Sequence, residues 1–350
     1  PPLLVQFLMG RSTLVWSPAV LLNSTPSACY TRSNGSVSGS KSSPVSRTPA
    51  RQRDRMTETT AAPPDRNRLT IPWLPDGKIV AVAGRGEFFV RHHQHADSSV
   101  PTVLLLHGWT ASSDLQFFSA YEALAAVCSF VGIDHRGHGR GLRTPADFTL
   151  EDCADDAAAV VRELGLSGVT AIGYSMGGPI SMLLARRHPD LVTGLITQAT
   201  ALEWNGTLRE RLQWRLLPLM GSALRSRVAG RFMKRFLEKM LADGHSLNGL
   251  VPWLRGESQR VDIGALTQAG KALGKYDATS WASSLGIPAA MLITTNDRLV
   301  RPRKQHALAK ALGAQTREIA TDHLAPWEAP DQFASVTVEL LSMVTTSLDS

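Results

Sequence analysis

Residues 169–178 read Val-Thr-Ala-Ile-Gly-Tyr-Ser-Met-Gly-Gly, and this stretch decides the fold. Its first four residues, mostly apolar and β-branched, predict a buried strand, and the apolar spacing that continues to Leu184 predicts a helix. A serine on a sharp turn between a strand and a helix forms a nucleophile elbow, which requires small residues two positions before and after the serine. Gly173 and Gly177 meet this requirement, so Ser175 is the candidate nucleophile.

The same letters also have a weaker interpretation. The glycines could serve close packing alone, and Ser175 could be an ordinary helix cap. We favour the elbow because a strand before the serine and a helix after it are the context that the motif requires.

A nucleophilic serine needs a base that accepts its proton and a third group that holds this base. Asp297 follows the apolar run 291–295, and His323 follows a predicted strand that ends at Ala320. Ser175, Asp297 and His323 therefore each lie just past the carboxyl end of a predicted strand, where an open parallel sheet collects its site. We predict that these three residues form a catalytic triad.

Other histidines and one other acid compete for these roles. The remaining candidates lie in a polar hairpin, on predicted helices or in a long insertion: His92, His93, His95, His188, His306 and His245. Glu203, just past the predicted strand 195–198, is the alternative acid. We prefer Asp297 because the acid must approach the imidazole from a neighbouring strand end.

Catalysis at a carbonyl also requires hydrogen-bond donors for the oxyanion. The backbone N–H of Met176 lies at the start of the predicted elbow helix and is the first candidate donor. The second is the N–H of Trp109, in the turn His107-Gly-Trp after the predicted strand 102–106. We expect His107 to orient this turn by hydrogen bonding rather than to transfer protons.

From Lys78 onward, short apolar runs alternate with amphipathic segments, as is typical of a largely parallel α/β sheet. Strands are predicted at 78–82, 87–91, 102–106, 130–133, 169–172, 195–198, 290–294 and 316–320. Helices are predicted at 118–126, 150–164, 177–187, 304–312 and 331–345. The alternation stops over residues 203–284, which we interpret as a helical insertion.

Residues 78–345 resemble the α/β-hydrolase superfamily, in its serine-nucleophile branch with an inserted cap. The matching motifs are His107-Gly-Trp109, Asp134-His-Arg-Gly-His-Gly139, Gly173-Tyr-Ser-Met-Gly177, Asp297 and His323, in the family's order. The resemblance implies the α/β-hydrolase fold, a mostly parallel eight-stranded sheet flanked by helices, with a helical cap.

The resemblance also constrains individual residues. In relatives the segment that corresponds to 134–139 is structural, so neither Asp134 nor His138 is assigned a catalytic role. Serine at position 175 disfavours haloalkane dehalogenases and soluble epoxide hydrolases, which carry aspartate there. Thr321-Asp322 departs from the family, in which glycine often precedes the histidine.

Composition excludes several other classes of protein. A hydrophobic fraction of 43% and a mean hydropathy of -0.07 are typical of globular proteins. The net charge of +7 is uneven, because residues 1–66 carry +5 and residues 202–260 carry +6, while the rest carries -4. That distribution is unlike a nucleic-acid groove, so we expect no nucleic-acid partner. Three distant cysteines exclude a zinc site built from cysteine, and we expect no metal or organic cofactor.

The chain divides into four predicted regions. Residues 1–66 are rich in Ser, Thr, Pro and Arg and are predicted to be a disordered tail. The hydrolase core is predicted at 67–202 and 285–350, and the cap at 203–284. The apolar run 14–22 is interrupted by Pro18 and makes a poor export signal, so we expect a cytoplasmic protein, with Met56 as an alternative start.

The predicted cap is the expected specificity element. It carries Trp204, Trp214, Trp253 and Trp281, whose apolar rings favour a moderately apolar small-molecule substrate beneath the cap. The same segment also contains clustered arginines. Basic amphipathic helices also bind anionic interfaces, so a membrane-facing lid for lipid esters is an alternative. We prefer a cap whose apolar side covers the core and whose charged side meets water.

Three functional hypotheses follow. The first is a serine hydrolase that cleaves a carboxylic ester through an acyl-enzyme. The second keeps the same triad for carbon–carbon bond hydrolysis, thioester cleavage or cofactor-independent peroxidation. The third is a ligand-binding receptor on a hydrolase scaffold, which a complete triad disfavours. The bond that is attacked depends on cap residues that motifs do not specify.

Overall fold

The structure is a computed structural model that describes residues 71–208, 210–212, 214–215, 248–260 and 262–346, with positions 248 and 251 described in their backbone alone. The predicted N-terminal tail, residues 1–66, lies outside the described residues, as does much of the predicted cap.

Eight strands form one sheet. Their bounds are β1 Asp76–Val82, β2 Gly86–His93, β3 Thr102–Leu106, β4 Ser129–Ile133, β5 Val169–Tyr174, β6 Val192–Gln198, β7 Ala289–Thr294 and β8 Gln315–Ile319. The spatial order is β1-β2-β4-β3-β5-β6-β7-β8. Strand β2 is antiparallel to β1 and β4, and all other pairs are parallel. Each strand lies where the sequence predicts it.

Both faces of the sheet are covered, and strand β3 shows how the sequence achieves this. Its residues alternate between the two faces, as the period of a strand requires. Leu104 and Leu106 enter the core on one face, whereas Val103 and Leu105 enter the core on the other. A strand buried on both sides has no polar face, which explains its continuous apolar run.

Helices form the two outer layers. Their bounds are α1 Ser113–Phe117, α2 Tyr121–Ala125, α3 Leu150–Glu163, α4 Gly177–Arg187, α5 Val251–Ser258, α6 Ile263–Leu273, α7 Pro302–Leu312, α8 Ala325–Glu328 and α9 Pro330–Thr346. The apolar sides of α3, α4 and α7 pack with Leu104 and Leu106. Those of α2 and α9 pack with Val103 and Leu105.

One helix prediction is confirmed in part, and one helix was missed. The helix predicted at 118–126 corresponds to α2, which begins three residues later at Tyr121, whereas α1 at Ser113–Phe117 was not predicted. Helix α1 begins early because the Ser112 side chain accepts a hydrogen bond from the N–H of Leu115, at 3.2 Å. Its acidic residue Asp114 is buried because Arg91 binds both carboxylate oxygens, at 2.7 and 2.8 Å. From the sequence alone these polar residues favour a loop, because the contact between Asp114 and Arg91 is not visible there.

Helices α5 and α6 lie within the predicted insertion 203–284. Trp253 and Leu254 of α5 pack with Leu115 and Phe118 of the core. Arg140 joins the same helix through Glu257, at 2.6 Å. In the described parts of the chain, no helix combines the length and the apolar character that crossing a membrane requires.

Candidate active site

Ser175 occupies the sharp turn between β5 and α4. Its φ of 52° lies in the left-handed region, which costs a residue with a side chain conformational energy. The turn is held by the neighbouring strand end, because the Ser175 N–H donates to the Gln198 carbonyl at 2.8 Å. The Ser175 carbonyl accepts from the Thr200 hydroxyl at 2.7 Å. The surrounding contacts thus maintain the strained conformation and aim the side chain away from the sheet.

Glycine is required on both sides of this turn because strand and helix approach each other closely. A methyl group on Gly173 would overlap with the Gly177 carbonyl, and one on Gly177 would overlap with the Leu106 carbonyl. A serine elbow of this tightness therefore tolerates no side chain at either position.

The structure brings the three predicted residues together. The Oγ of Ser175 lies 3.0 Å from the Nε2 of His323. The Nδ1 of the same ring lies 2.7 Å from the Oδ2 of Asp297. Asp297 is 3% exposed and His323 is 9% exposed, so both hydrogen bonds lie at the bottom of the site. Such a chain can pass a proton from the hydroxyl to the imidazole while the carboxylate orients the ring.

Asp297 is positioned by four further donors. Its Oδ1 accepts from the backbone N–H groups of Leu299 and Val300, both at 2.8 Å. Its Oδ2 accepts from the Thr294 hydroxyl at 2.8 Å and from the Gln305 amide at 3.1 Å. These hydrogen bonds fix the carboxylate where it meets the imidazole.

The loop that carries His323 is fixed by two side chains. Tyr174, next to the nucleophile, donates its hydroxyl to the His323 carbonyl at 2.8 Å. Asp322 accepts from the N–H of His323 at 2.8 Å and from that of Arg298 at 2.9 Å. The aspartate at position 322 therefore joins the histidine loop to the loop of Asp297, which accounts for the departure from glycine before the histidine.

The two predicted oxyanion donors lie beside Ser175. Gly108 contacts the nucleophile so closely that a methyl group added to it would lie 3.2 Å from the Ser175 Cβ. Trp109 is the next residue, and Met176 follows Ser175 at the start of α4. Among the described residues, neither of these two backbone N–H groups has a hydrogen-bond acceptor. Both therefore stay candidates for the oxyanion donors.

His107 holds the loop of Trp109 in place. Its Nδ1 lies 2.8 Å from the Gly108 carbonyl, and its Nε2 accepts from the N–H of His135 at 3.0 Å. Burial, and then the nearby rings of His135 and His138, lower the pKa of His107 well below its usual range. A neutral, fully hydrogen-bonded ring agrees with an orienting role. Asp134 likewise shapes its turn by accepting from the N–H groups of Ser113 and Arg140, at 2.8 and 2.7 Å.

The alternative acid lies elsewhere. Glu203 binds Lys304 at 2.9 Å and accepts hydrogen bonds from the N–H groups of Asn205 and Gly206. Its carboxylate therefore closes a turn at the start of the insertion, and Asp297 is the acid in contact with His323. No group of three or more His, Cys, Asp or Glu side chains in the described residues could hold a metal ion.

Sequence reasoning missed the residues that hold the site. Gln305, Thr294 and Tyr174 contact Asp297 or His323, but no motif marks them. The one available signal was position, since Thr294 ends the strand before Asp297 and Tyr174 precedes the serine. Gln305 lies one turn into α7, and a polar residue in a helix is ordinarily assigned to its solvent face.

Comparison with known proteins identifies the family of the chain. Residues 101–330 match the family model of the alpha/beta hydrolase fold. A pimeloyl-[acyl-carrier protein] methyl ester esterase from Neisseria meningitidis serogroup C is 27% identical over 225 residues, which are 63% of this chain and 85% of that protein. A putative carbamate hydrolase from Agrobacterium fabrum is 34% identical over 105 residues, which are 30% of this chain and 40% of that protein.

Solved structures show the same fold. An esterase from Exiguobacterium antarcticum superposes with a TM-score of 0.65 at 19% identity, covering 76% of this chain and 100% of its own. An enol-lactonase from Burkholderia xenovorans LB400 superposes with a TM-score of 0.60 at 21% identity, covering 76% of this chain and 100% of its own. By its fold, its sequence and the family model, the chain belongs to the alpha/beta hydrolase family and is a hydrolase enzyme.

Proposed function

We propose that the protein is a serine esterase that cleaves a carboxylic ester through an acyl-enzyme. The observation that carries the proposal is the continuous hydrogen-bonded path from the Ser175 hydroxyl through the His323 ring to the Asp297 carboxylate, with separations of 3.0 and 2.7 Å. A serine without such a base is a poor nucleophile at neutral pH.

In the first half of the reaction, the Ser175 Oγ attacks the ester carbonyl while His323 Nε2 accepts its proton. The bond to the alcohol then breaks, and His323 returns the proton to the leaving alkoxide. In the second half, His323 removes a proton from water, the hydroxide attacks the acyl-enzyme, and Ser175 recovers its proton as the acid leaves. Asp297 orients the ring and stabilises its cation in both halves.

The oxyanion that forms at each attack would be stabilised by the N–H groups of Met176 and Trp109. Donors fixed before the reaction stabilise this developing charge without reorganisation, and one such donor is commonly worth about 3 kcal/mol. That both groups lack an acceptor among the described residues supports this assignment.

The substrate we propose is a small, moderately apolar ester held beneath a cap formed by residues 203–284. The ring of Trp109 lies 6.0 Å from that of Trp214, and its Nε1 donates to the Leu266 carbonyl of α6 at 2.9 Å. The insertion thus contacts the loop that carries a proposed oxyanion donor. The name of the Neisseria relative, a methyl ester esterase, supports an ester as the bond attacked.

The test is turnover of p-nitrophenyl butyrate by the wild type, by Ser175→Ala and by Ser181→Ala. Loss of the nucleophile should lower kcat by at least about 10⁴-fold. Ser181 is a buried serine of α4 whose hydroxyl donates to the Gly178 carbonyl, so its variant controls for folding. Equal rates for the wild type and Ser175→Ala would refute the proposal.

The same three residues could also serve another bond. A relative named as a putative carbamate hydrolase and a structure of an enol-lactonase with the same fold are the reason to test other carbonyl compounds. A panel of matched ester, thioester, lactone and carbamate substrates separates these reactions. We expect the ester to give the highest kcat/KM, and a higher value for another class would reassign the bond.

A further inference from the structure

Gln116 of α1 lies beside the proposed nucleophile, and neither the motifs nor the mechanism use it. The side chain is 7% exposed, and its Oε1 accepts a hydrogen bond from the N–H of Gly108 at 3.3 Å. A methyl group added to Gly108 would lie 3.1 Å from this Oε1 and 3.2 Å from the Ser175 Cβ. The Gln116 amide oxygen and the Ser175 side chain therefore both flank Gly108.

The chemistry of the contact fixes which end of the amide faces Gly108. A backbone N–H can donate alone, so the atom that it meets must be the amide oxygen. The Nε2 group, with its two N–H donors, therefore points away from Gly108. An amide held by one end in this way presents the other end in a defined direction.

The Nε2 donors of Gln116 have no acceptor within the part of the chain that the structure describes. Among the described residues no acceptor binds them, and Nε2 is absent from the fully enclosed polar atoms that lack a partner, such as His135 Nε2 and His138 Nε2. The group therefore keeps some contact with solvent instead of being fully enclosed. A polar side chain this deeply buried normally finds a partner, because leaving a donor unpaired is costly.

We infer that Gln116 is a specificity-determining residue whose Nε2 donates a hydrogen bond to an acceptor oxygen in the acyl part of the substrate. The preferred esters are then those whose acyl chain carries an ether, hydroxyl or carbonyl oxygen close to the reacting carbonyl. This inference rests on the proposed esterase function and names a substrate class for the same site.

The roles of the neighbouring groups indicate that Gln116 contacts the acyl part of the substrate and not the leaving alcohol. The leaving alcohol must lie next to His323 Nε2, since this atom protonates it. Gln116 is anchored instead to Gly108, in the loop whose next N–H, that of Trp109, binds the carbonyl oxygen in the proposed mechanism. The acyl chain extends from this carbonyl carbon, away from the alcohol.

The experiment compares two esters of equal chain length, p-nitrophenyl methoxyacetate and p-nitrophenyl butyrate. Each kcat/KM is divided by the rate of hydroxide-catalysed hydrolysis of the same ester, which removes the intrinsic reactivity difference. We expect the wild type to prefer methoxyacetate. Gln116→Met, which removes the donor at similar size, should lower this preference about fivefold to tenfold, the effect of one hydrogen bond.

Two further variants separate specificity from support of Gly108. Gln116→Glu keeps an oxygen for the Gly108 N–H but has no donor, so it should also lose the preference. Gln94→Met changes an exposed glutamine and should keep it. If Gln116 serves the loop alone, Gln116→Met lowers both esters equally and Gln116→Glu leaves the ratio unchanged, which would overturn the inference.

The experiment distinguishes a wrong role for Gln116 from a wrong esterase function. If the wild type hydrolyses both esters, Ser175→Ala hydrolyses neither, and the ratio is the same in every Gln116 variant, only the role of Gln116 is refuted. If the wild type hydrolyses neither ester, or Ser175→Ala retains the wild-type rates, the esterase proposal fails and the inference fails with it.

Discussion

Among single residues, Asp297 shows that the reacting groups depend on other buried side chains for their orientation. Its Oδ2 accepts three hydrogen bonds, from Thr294 at 2.8 Å, Gln305 at 3.1 Å and His323 at 2.7 Å. Gln305 is itself fixed, because its Nε2 donates to the Val300 carbonyl at 2.7 Å and its Oε1 accepts from the Thr294 N–H at 3.0 Å. The orientation of the carboxylate therefore depends on a second layer of buried residues.

Removing one of these donors should misplace the carboxylate without removing it. We expect Gln305→Met and Thr294→Val each to lower kcat about tenfold, the effect of one hydrogen bond to a charged group. The double variant should lose less than the product of the two effects, because both donors act on the same oxygen.

Steady-state kinetics of the two single variants and the double variant check this prediction. Gln315→Met, at an exposed position of β8, is the matched control and should retain kcat. Fully multiplicative losses, or single variants that change KM but not kcat, would contradict a shared action on Asp297.

The reacting residues could be predicted from the sequence, whereas the residues behind them could not. Ser175 has a motif, and Asp297 and His323 have a position relative to strand ends. Gln305, by contrast, meets Asp297 because α7 folds back against the end of β7, and this is a tertiary contact without a local pattern. Gln116 is similar, since its place beside Ser175 becomes visible once α1 packs against the loop of Gly108.

At the scale of the element, the turn between β5 and α4 is the most constrained feature. A methyl group on Gly177 would overlap with the backbone carbonyl of Leu106, which cannot move without displacing β3. In contrast, Gly256 of α5 has no neighbour within 4 Å of where a methyl group would lie. Both glycines lie in helices, but Gly177 is buried against a carbonyl and Gly256 is exposed with free space beside it, so the same substitution should have opposite effects.

We expect Gly177→Ala to lower the free energy of unfolding by about 3 kcal/mol or more, because a core that cannot expand resists an added atom. Gly256→Ala should raise it by up to about 1 kcal/mol, since alanine favours a helix over glycine. Urea unfolding measures both values. Similar stabilities of the two variants would show that the elbow is less tight than the structure indicates.

The positions of strands and helices could be predicted where the apolar period extends over enough residues to be recognised. Strand β3 and helix α4 begin and end where the sequence places them. Helix α2 was predicted within a longer span, whereas α1 was missed because its five residues are too few for an apolar period to register. Side-chain capping and the buried pair of Arg91 and Asp114 stabilise α1 instead.

At the scale of the whole molecule, buried histidines link stability to pH. Burial lowers the pKa of His138 to about 4 and that of His135 to about 3, and it lowers the pKa of His107 as well. Burial raises the pKa of Asp134 to about 6. The folded protein therefore holds three neutral rings where the unfolded chain, with ordinary histidines near pH 6.5, takes up protons.

The free energy of unfolding should fall as the pH falls from about 6.5 to 4, because the unfolded state then binds more protons through these histidines. Asp134 opposes the trend below about pH 6, since its folded carboxyl binds a proton first, and Asp156, whose pKa burial also raises, acts in the same direction. These two carboxyls act against four histidines, because burial lowers the pKa of His92 as well. Each histidine contributes a slope of at most about 1.4 kcal/mol per pH unit.

Urea unfolding between pH 4 and 7 checks this dependence. His135→Phe removes one titrating ring at similar size and should make the slope shallower. His306→Phe changes an exposed ring, whose side chain is 52% exposed, and should leave the slope unchanged. A wild-type stability that is constant or rises on acidification would contradict the assignment of neutral buried rings.

The most direct test of the esterase account is covalent labelling by a fluorophosphonate, located by mass spectrometry of the digested protein. The account predicts one phosphonyl group on Ser175, no labelling at that peptide in Ser175→Ala, and labelling slowed by orders of magnitude in His323→Gln, because the hydroxyl then lacks its base. An unlabelled Ser175 in the wild type, or equally fast labelling in His323→Gln, would contradict it.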